Sequence, residues 1–352
     1  MGSRPRRQHK VLLSIAAVLL VLGLLAGVAL RYAMQPERAT RFLLSRVGAA
    51  LDLEITATGK TEYRLRGLPT LVLRDVVARE PGVATPLLRA DRIFLSLPWS
   101  TLRARGAVLE ATRIELDAPI LDLPALQQWL AKRPPSPTPL RLPSLSAGAL
   151  VRDGVLIGNG WRLENLQAEL PSFAPGAASR LALKGNYPEP PFSFAASGPL
   201  RWDDGTWSLA PARVSVRGLG EPGAAPVPTL EARGDIALGE YLVLRLHGGL
   251  ETWPAAWPTL PEPLASSRSP LAFALRYRGA VDVANTAFLR LQRDDTAFDG
   301  SFRLREVLAW TAGDPNPLPP VEGTLRTPRL DVAGASLHDI SIQLEVVADE
   351  AD

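Results

Sequence analysis

The sequence predicts a mainly β chain preceded by one N-terminal membrane-spanning helix, and three observations carry that reading. Val11 to Leu30 form a run of twenty residues without a charge. From Leu51 onward apolar and polar residues alternate with a period of two. After Lys132 no long helical periodicity recurs, which disfavours βαβ units and a parallel sheet.

The span comes first. Twenty helical residues rise about 30 Å, the thickness of a bilayer's hydrocarbon core. Val11, Leu12, Leu13, Leu19, Leu20, Leu24, Leu25 and Leu30 are the anchor residues, and Ser14 is the one clearly polar side chain among them. Arg4, Arg6, Arg7 and Lys10 precede the span with no acid beside them. Basic residues stay on the cytoplasmic side, so residues 1–10 read as a cytoplasmic tail and the bulk of the chain lies on the far side of the membrane. Arg31, Arg38, Arg41 and Arg46 follow the span and reduce this asymmetry. Arg31 and Tyr32 stand where a signal peptidase needs small residues, so the segment reads as an uncleaved anchor.

Composition narrows the function classes. The 352 residues are 46% hydrophobic, enough to bury a sizeable core. Cysteine is absent, which excludes disulfides, thiolate metal sites and a cysteine nucleophile. Lys and Arg total 39 against 36 acids, but four of the basic residues lie in the tail. The remainder is close to neutral, so the basic balance belongs to the anchor and gives no nucleic-acid footprint.

The elements follow in order. Pro36 opens an amphipathic helix with Ala39, Phe42, Leu43, Val47 and Ala50 on one face, suited to packing on the following sheet or lying on a membrane surface. Alternation over Leu51–Ile55, Ile93–Leu97 and Ile114–Leu116 predicts strands. Leu126, Trp129 and Leu130 share a face of a short helix over Pro124–Lys132. Residues 31–133 therefore form a helix-plus-strand module. Pro134, Pro135, Pro137, Pro139 and Pro143 make residues 134–143 a stiff connector. Residues 144–352 are a repetitive β region. Hairpin turns are expected at Asn159-Gly160, Asp204-Gly205 and Asp299-Gly300. Further strands are expected at Leu242–Leu246, Leu271–Tyr277, Phe288–Leu291 and Ile340–Val346. The Pro-rich stretches Pro254–Pro263 and Pro315–Pro320 would protect sheet ends. Two architectures satisfy this pattern: sandwiches in series, or one long antiparallel sheet that curls.

Candidate chemistry is sparse. The three histidines are His9 in the tail, His247 beside two glycines and His338 before Asp339, and none accompanies a nucleophile motif. Asp203-Asp204 and Asp294-Asp295 are sequence neighbours, whose side chains in a strand point to opposite faces and form no dyad. Gly158-Asn159-Gly160 lacks the following helix of a phosphate loop. No catalytic, metal or cofactor residues are assigned, and the chain reads as a non-enzyme. Trp253 and Trp257 flank prolines in one loop; they either cover the sheet end or mark a binding surface.

Four segments carry a family resemblance: Thr58–Arg66, Leu71–Val77, Leu88–Leu97 and Arg113–Leu123, the last reading Arg-Ile-Glu-Leu-Asp-Ala-Pro-Ile-Leu-Asp-Leu. Together with the anchor they resemble the N-terminal region of AsmA-like proteins of Gram-negative bacteria, and Gly323–Ile340 is similar to that family's repeating strands. The resemblance implies an inner-membrane anchor, a periplasmic body and a long curled antiparallel sheet shaped like a taco around an apolar groove. It implies a non-catalytic role in handling membrane phospholipid or in outer-membrane assembly, with envelope proteins as partners. A second class fits the same sequence: an anchored structural scaffold, such as a secretion-system component.

Overall fold

The computed structural model describes residues 48, 52–64, 66–103, 110–132, 144–203, 205–220, 227–239, 241–251, 253–254, 257, 260, 262–280, 285–311, 320–332 and 335–345. The expected span with its basic flank, most of the amphipathic helix from Pro36 and all of the Pro-rich connector lie outside these residues. Among the described residues no helix is long and apolar enough to cross a membrane.

The N-terminal module runs β1 (Glu54–Ala57), β2 (Glu62–Arg64), β3 (Thr70–Arg79), β4 (Pro86–Ser96), α1 (Trp99–Arg103), β5 (Glu110–Ala111), β6 (Arg113–Asp117), β7 (Ile120–Asp122) and α2 (Leu123–Ala131). The repetitive region begins with β8 (Ser144–Leu145), β9 (Ala149–Ile157), β10 (Arg162–Leu170), β11 (Ser179–Pro188), β12 (Pro191–Asp203), β13 (Thr206–Gly218), β14 (Leu230–Leu238) and β15 (Leu242–Leu250). It continues with β16 (Leu271–Gly279), β17 (Thr286–Arg293), β18 (Thr296–Arg303), α3 (Leu304–Thr311), β19 (Val321–Val332) and β20 (Ala335–Leu344).

Eighteen of these strands belong to one sheet, which rules out sandwiches in series. β1 and β2 share one edge of β3, and β4 takes the other. β6 and β7 pair side by side with β4, and both pair with β9. From β9 to β20 each strand pairs antiparallel with the next. The pairings of β6 and β7 with β9 are parallel, as is the small sheet of β5 and β8. The parallel step arises because α2 carries the chain away from the end of β7 before β9 begins. Asp122 starts that helix by accepting a hydrogen bond from the Ala125 N–H at 2.8 Å, the N-cap role its short carboxylate suits.

The hairpin reading holds at two of its three sites. Ile157 pairs with Arg162 around Asn159-Gly160, and Asp203 pairs with Thr206 around Gly205. Gly160 and Gly205 take positive φ there, at 79° and 80°. The third expectation is corrected: Asp299 and Gly300 lie in the middle of β18, and the turn falls at Asp294-Asp295 with Asp294 at φ 51°. Gly300 answers a different need. A Cβ there would stand 2.4 Å from the Glu322 carbonyl oxygen and from the Phe298 ring. The β1 strand starts at Glu54, later than the expected Leu51, and the C-terminal strand runs Ala335–Leu344.

A crease crosses the N-terminal rows. Asp75 in β3, Ala118 between β6 and β7, Asp153 in β9 and Asn165 in β10 all take φ near 50°. At each, an inserted left-handed residue shifts the side-chain alternation by one. Leu71 and Leu73 are therefore followed by Val76 and Ala78 on the same face, and Ala149 and Val151 by Gly154 and Leu156. Asp and Asn tolerate this conformation better than other side-chain-bearing residues.

Candidate functional site

Register turns the alternation into a surface. One row of directly opposed residues runs from β3 to β20: Leu73, Ile93, Leu116, Val151, Ala168, Leu183, Ala196, Val214, Ala232, Gly248, Phe273, Leu291, Phe298, Leu325 and Ile342. None is polar. At about 4.8 Å per strand the row is roughly 65–70 Å long. A second row two residues along is equally apolar: Ala212, Gly234, Leu246, Leu275, Leu289, Gly300, Gly323 and Leu344.

The opposite face is polar. Its row reads Ala182, Ser197, Arg213, Arg233, His247, Ala274, Arg290, Asp299, Thr324 and Gln343. A concavity of about 690 Å³ on this side is lined by Arg276, Arg290, Asp299 and Glu322, with Phe288 as its one aromatic wall.

Burial distinguishes a curled face from a closed core. Of the fifteen residues in the long apolar row, Leu73, Ala232, Phe273 and Phe298 are buried and the rest are half-buried. No large side chain among the described residues falls below 2% exposure. A second sheet packed on this face would have buried nearly all of them.

The curl is visible in one long-range contact. β10 and β18 are eight rows apart, about 38 Å along a flat sheet. Yet a Cβ added to Gly160, at the start of β10, would lie 3.0 Å from the Arg305 guanidinium, two residues after β18. Twist alone would leave these rows apart, so the sheet also bends, and the register shifts between β10 and β11, β12 and β13, and β13 and β14 are places where it does so.

α3 occupies that meeting place; like the five-residue α1, it escapes sequence periodicity. Its eight residues are too few to stand out from the surrounding strands. Leu304 and Val307 are half-buried and Trp310 is buried, whereas Arg305 and Ala309 face solvent. Glu306 in its first turn pairs with Arg303 at 3.0 Å, a favourable place for an acid. Leu304, Arg305 and Ala309 close one side of a cavity of about 750 Å³. Leu163, Tyr187 and Phe192 of the apolar face form the other side, with Ile157 and Trp161 at the β9–β10 turn. Tyr187 and Phe192 stack at 5.0 Å. Burial, and then the nearby Glu189 carboxylate, push the Tyr187 phenol up.

Trp253 and Trp257 lie beside α3. Their rings meet edge to face at 5.1 Å, and Trp257 touches Trp310 at 5.6 Å. Both rings are half-buried and stack toward α3. At the other margin Ala111, Leu145 and Phe173 form a small core against Leu95, Leu97, Trp202 and Trp207. Leu145 and Phe173 hold it by reciprocal backbone hydrogen bonds of 2.7 and 2.9 Å.

The polar face carries a charge network on β4, β6 and β9. Arg92 and Arg152 each approach Asp117 at 2.8 Å, and both also reach Glu115, at 3.2 and 3.3 Å. Burial pushes the Glu115 and Asp117 carboxyls up, but the arginine hydrogen bonds outweigh it and hold both below their ordinary values. Groups with depressed folded-state pKa stabilise the fold above the unfolded pKa and lose that contribution as pH falls through the folded one. Thermal unfolding is therefore expected to shift downward below about pH 4. Asp117→Asn should cost about 1–2 kcal/mol at neutral pH and flatten that acid dependence.

The remaining sequence candidates stay apart. His247 sits on the polar face between Arg233 and Ala274. His338 lies opposite Arg329 in β20 and is exposed. Asp203 ends β12, while Asp294 accepts hydrogen bonds from Ser267, at 2.5 Å, and from Ser269. Among the described residues no group of three His, Asp or Glu side chains could hold a metal. The anchor residues and their basic flank fall outside the described residues. No protein-family model, curated protein or solved structure matches the chain.

Proposed function

We propose that this chain is a membrane-anchored, non-catalytic carrier that holds the acyl chains of phospholipid along the apolar face of its curled sheet. The observation that carries the reading is the unbroken apolar row from Leu73 to Ile342. A protein that needed only a core would bury such a row, whereas here most of it stays half-buried. Each methylene taken from water onto such a surface gains about 0.8 kcal/mol, and the register offers equivalent apolar positions at every strand. The arginine-rich opposite face keeps the outside wet.

The uncharged run Val11–Leu30 supports the rest of the reading. It would tether the start of the sheet to the inner membrane with the body in the periplasm, as the AsmA-like resemblance implies. A path of roughly 65–70 Å makes the chain one segment of a route, to be extended by envelope proteins or further copies.

The test is extraction of the full chain into a mild detergent, followed by mass spectrometry of co-purifying lipid. Phospholipid retained in proportion to protein is the expected result. A lipid-free preparation that still captures an envelope protein would sink the carrier reading in favour of the scaffold.

A further inference from the structure

The apolar row explains how a chain could be held but not where a head group would sit. The cavity beneath α3 supplies that second element. It is bounded on one side by the apolar face at Leu163, Tyr187 and Phe192 and on the other by Leu304 and Ala309. Its volume of about 750 Å³ lies within the range of about 300–1,000 Å³ typical of small-molecule sites. Three charged side chains stand in its lining: Arg162, Arg305 and Glu189.

These three are not equivalent. Arg162 is neutralised by Glu164 at 2.8 Å. Arg305 has no such partner: none of the salt bridges among the described residues includes it, and Glu189 lies beyond pairing distance. Its guanidinium rests over Gly160, where an added Cβ would stand 3.0 Å from it. Gly160 at φ 79° thus serves the turn and leaves room for the arginine. An unpaired guanidinium at the edge of an apolar cavity recognises one chemistry in particular. It is an amphiphile whose hydrocarbon fills the cavity while a phosphate or carboxylate accepts the planar fork of donors.

We infer that the space between α3 and the ends of β9–β12 is a binding site for a single anionic amphiphile, with Arg305 as its head-group residue. This rests on the carrier reading and places a specific subsite on the sheet. Arg305 leaves α3 intact when replaced, because it is exposed and the helix packs through Leu304, Val307 and Trp310.

The experiment uses the full chain reconstituted into vesicles of a phosphatidylglycerol that carries a diazirine in its acyl chain. After irradiation, cross-linked peptides are mapped by mass spectrometry. Labelling should concentrate on the peptides holding Phe192 and Leu304–Ala309. Arg305→Ala should reduce it there by about tenfold or more, the loss expected for one charge-assisted hydrogen-bonding group, while Arg305→Lys retains part of it. Excess inorganic phosphate should leave labelling unchanged, since the apolar chain supplies much of the affinity. Abolition by phosphate alone would mark a free-anion site and overturn the amphiphile. Labelling confined to β13–β20 would overturn this subsite and leave the carrier reading standing. Absence of labelling anywhere on the sheet would overturn both.

Discussion

Trp310→Ala is expected to lower the stability of the folded chain by about 3–5 kcal/mol, the range for removing a buried aromatic side chain. Trp310 is 8% exposed and is the contact through which α3 meets the β15–β16 loop. Its loss removes the Trp257 contact and leaves that ring, and Trp253 behind it, without the surface they cover. The consequence should be local as well as global. α3 joins β18 to margins eight rows away, so hydrogen exchange should accelerate first in residues 304–311 and at the β9–β10 turn, and last in the central strands. Denaturant unfolding followed by tryptophan fluorescence gives the magnitude. A change below about 1 kcal/mol would mean that α3 contributes little to holding the curl.

Leu275→Glu is expected to remove co-purifying lipid by about tenfold or more while the chain still folds. Leu275 lies in the second apolar row between Leu246 and Leu289 and is half-buried, so water can reach a carboxylate placed there. A hydrocarbon chain laid over it would strip that water, which costs more than the about 1–3 kcal/mol of a neutral polar group. The adjacent position is the control. Arg276 projects from the opposite face beside Arg245, and Arg276→Glu places the same carboxylate outside the proposed path. Lipid lost from the first variant and kept in the second supports the apolar face as the carrier surface. Equal lipid content in both would refute it. Circular dichroism on each separates loss of lipid from loss of the sheet.

Both predictions depend on features that differ in how far they can be read from the chain. The alternation at Leu242–Leu246 or Leu271–Tyr277 is visible at once, because side chains in a strand alternate between faces whatever the strand pairs with. The turns at Gly160 and Gly205 are visible because glycine reaches positive φ without steric cost. The short helix around Leu126 and Trp129 also shows, since three apolar residues mark its face, whereas its cap at Asp122 came from the structure.

Other features carry a signal that can be read two ways. Asp299-Gly300 has the residue types of a hairpin turn, but Gly300 is there because the Glu322 carbonyl and the Phe298 ring come too close for a side chain. Asp75, Asp153 and Asn165 look like breaks in alternation. They are the left-handed residues that keep the apolar side chains on one face across the crease. α3 is the clearest miss. With an Arg, a Glu and five apolar residues in eight positions it has no period long enough to register.

Local pattern alone determined that this chain makes one-faced strands and where several of them turn. Tertiary structure decided which residue stands opposite which, and therefore that Leu73 and Ile342 belong to one continuous row. It also decided that the sheet curls far enough for Arg305 to reach Gly160. The physical reason is the range of the interactions. Alternation and turn chemistry act within a few neighbouring residues. Register depends on bulges and paired strands together, and curl is the bending summed over eight rows, which no short segment contains.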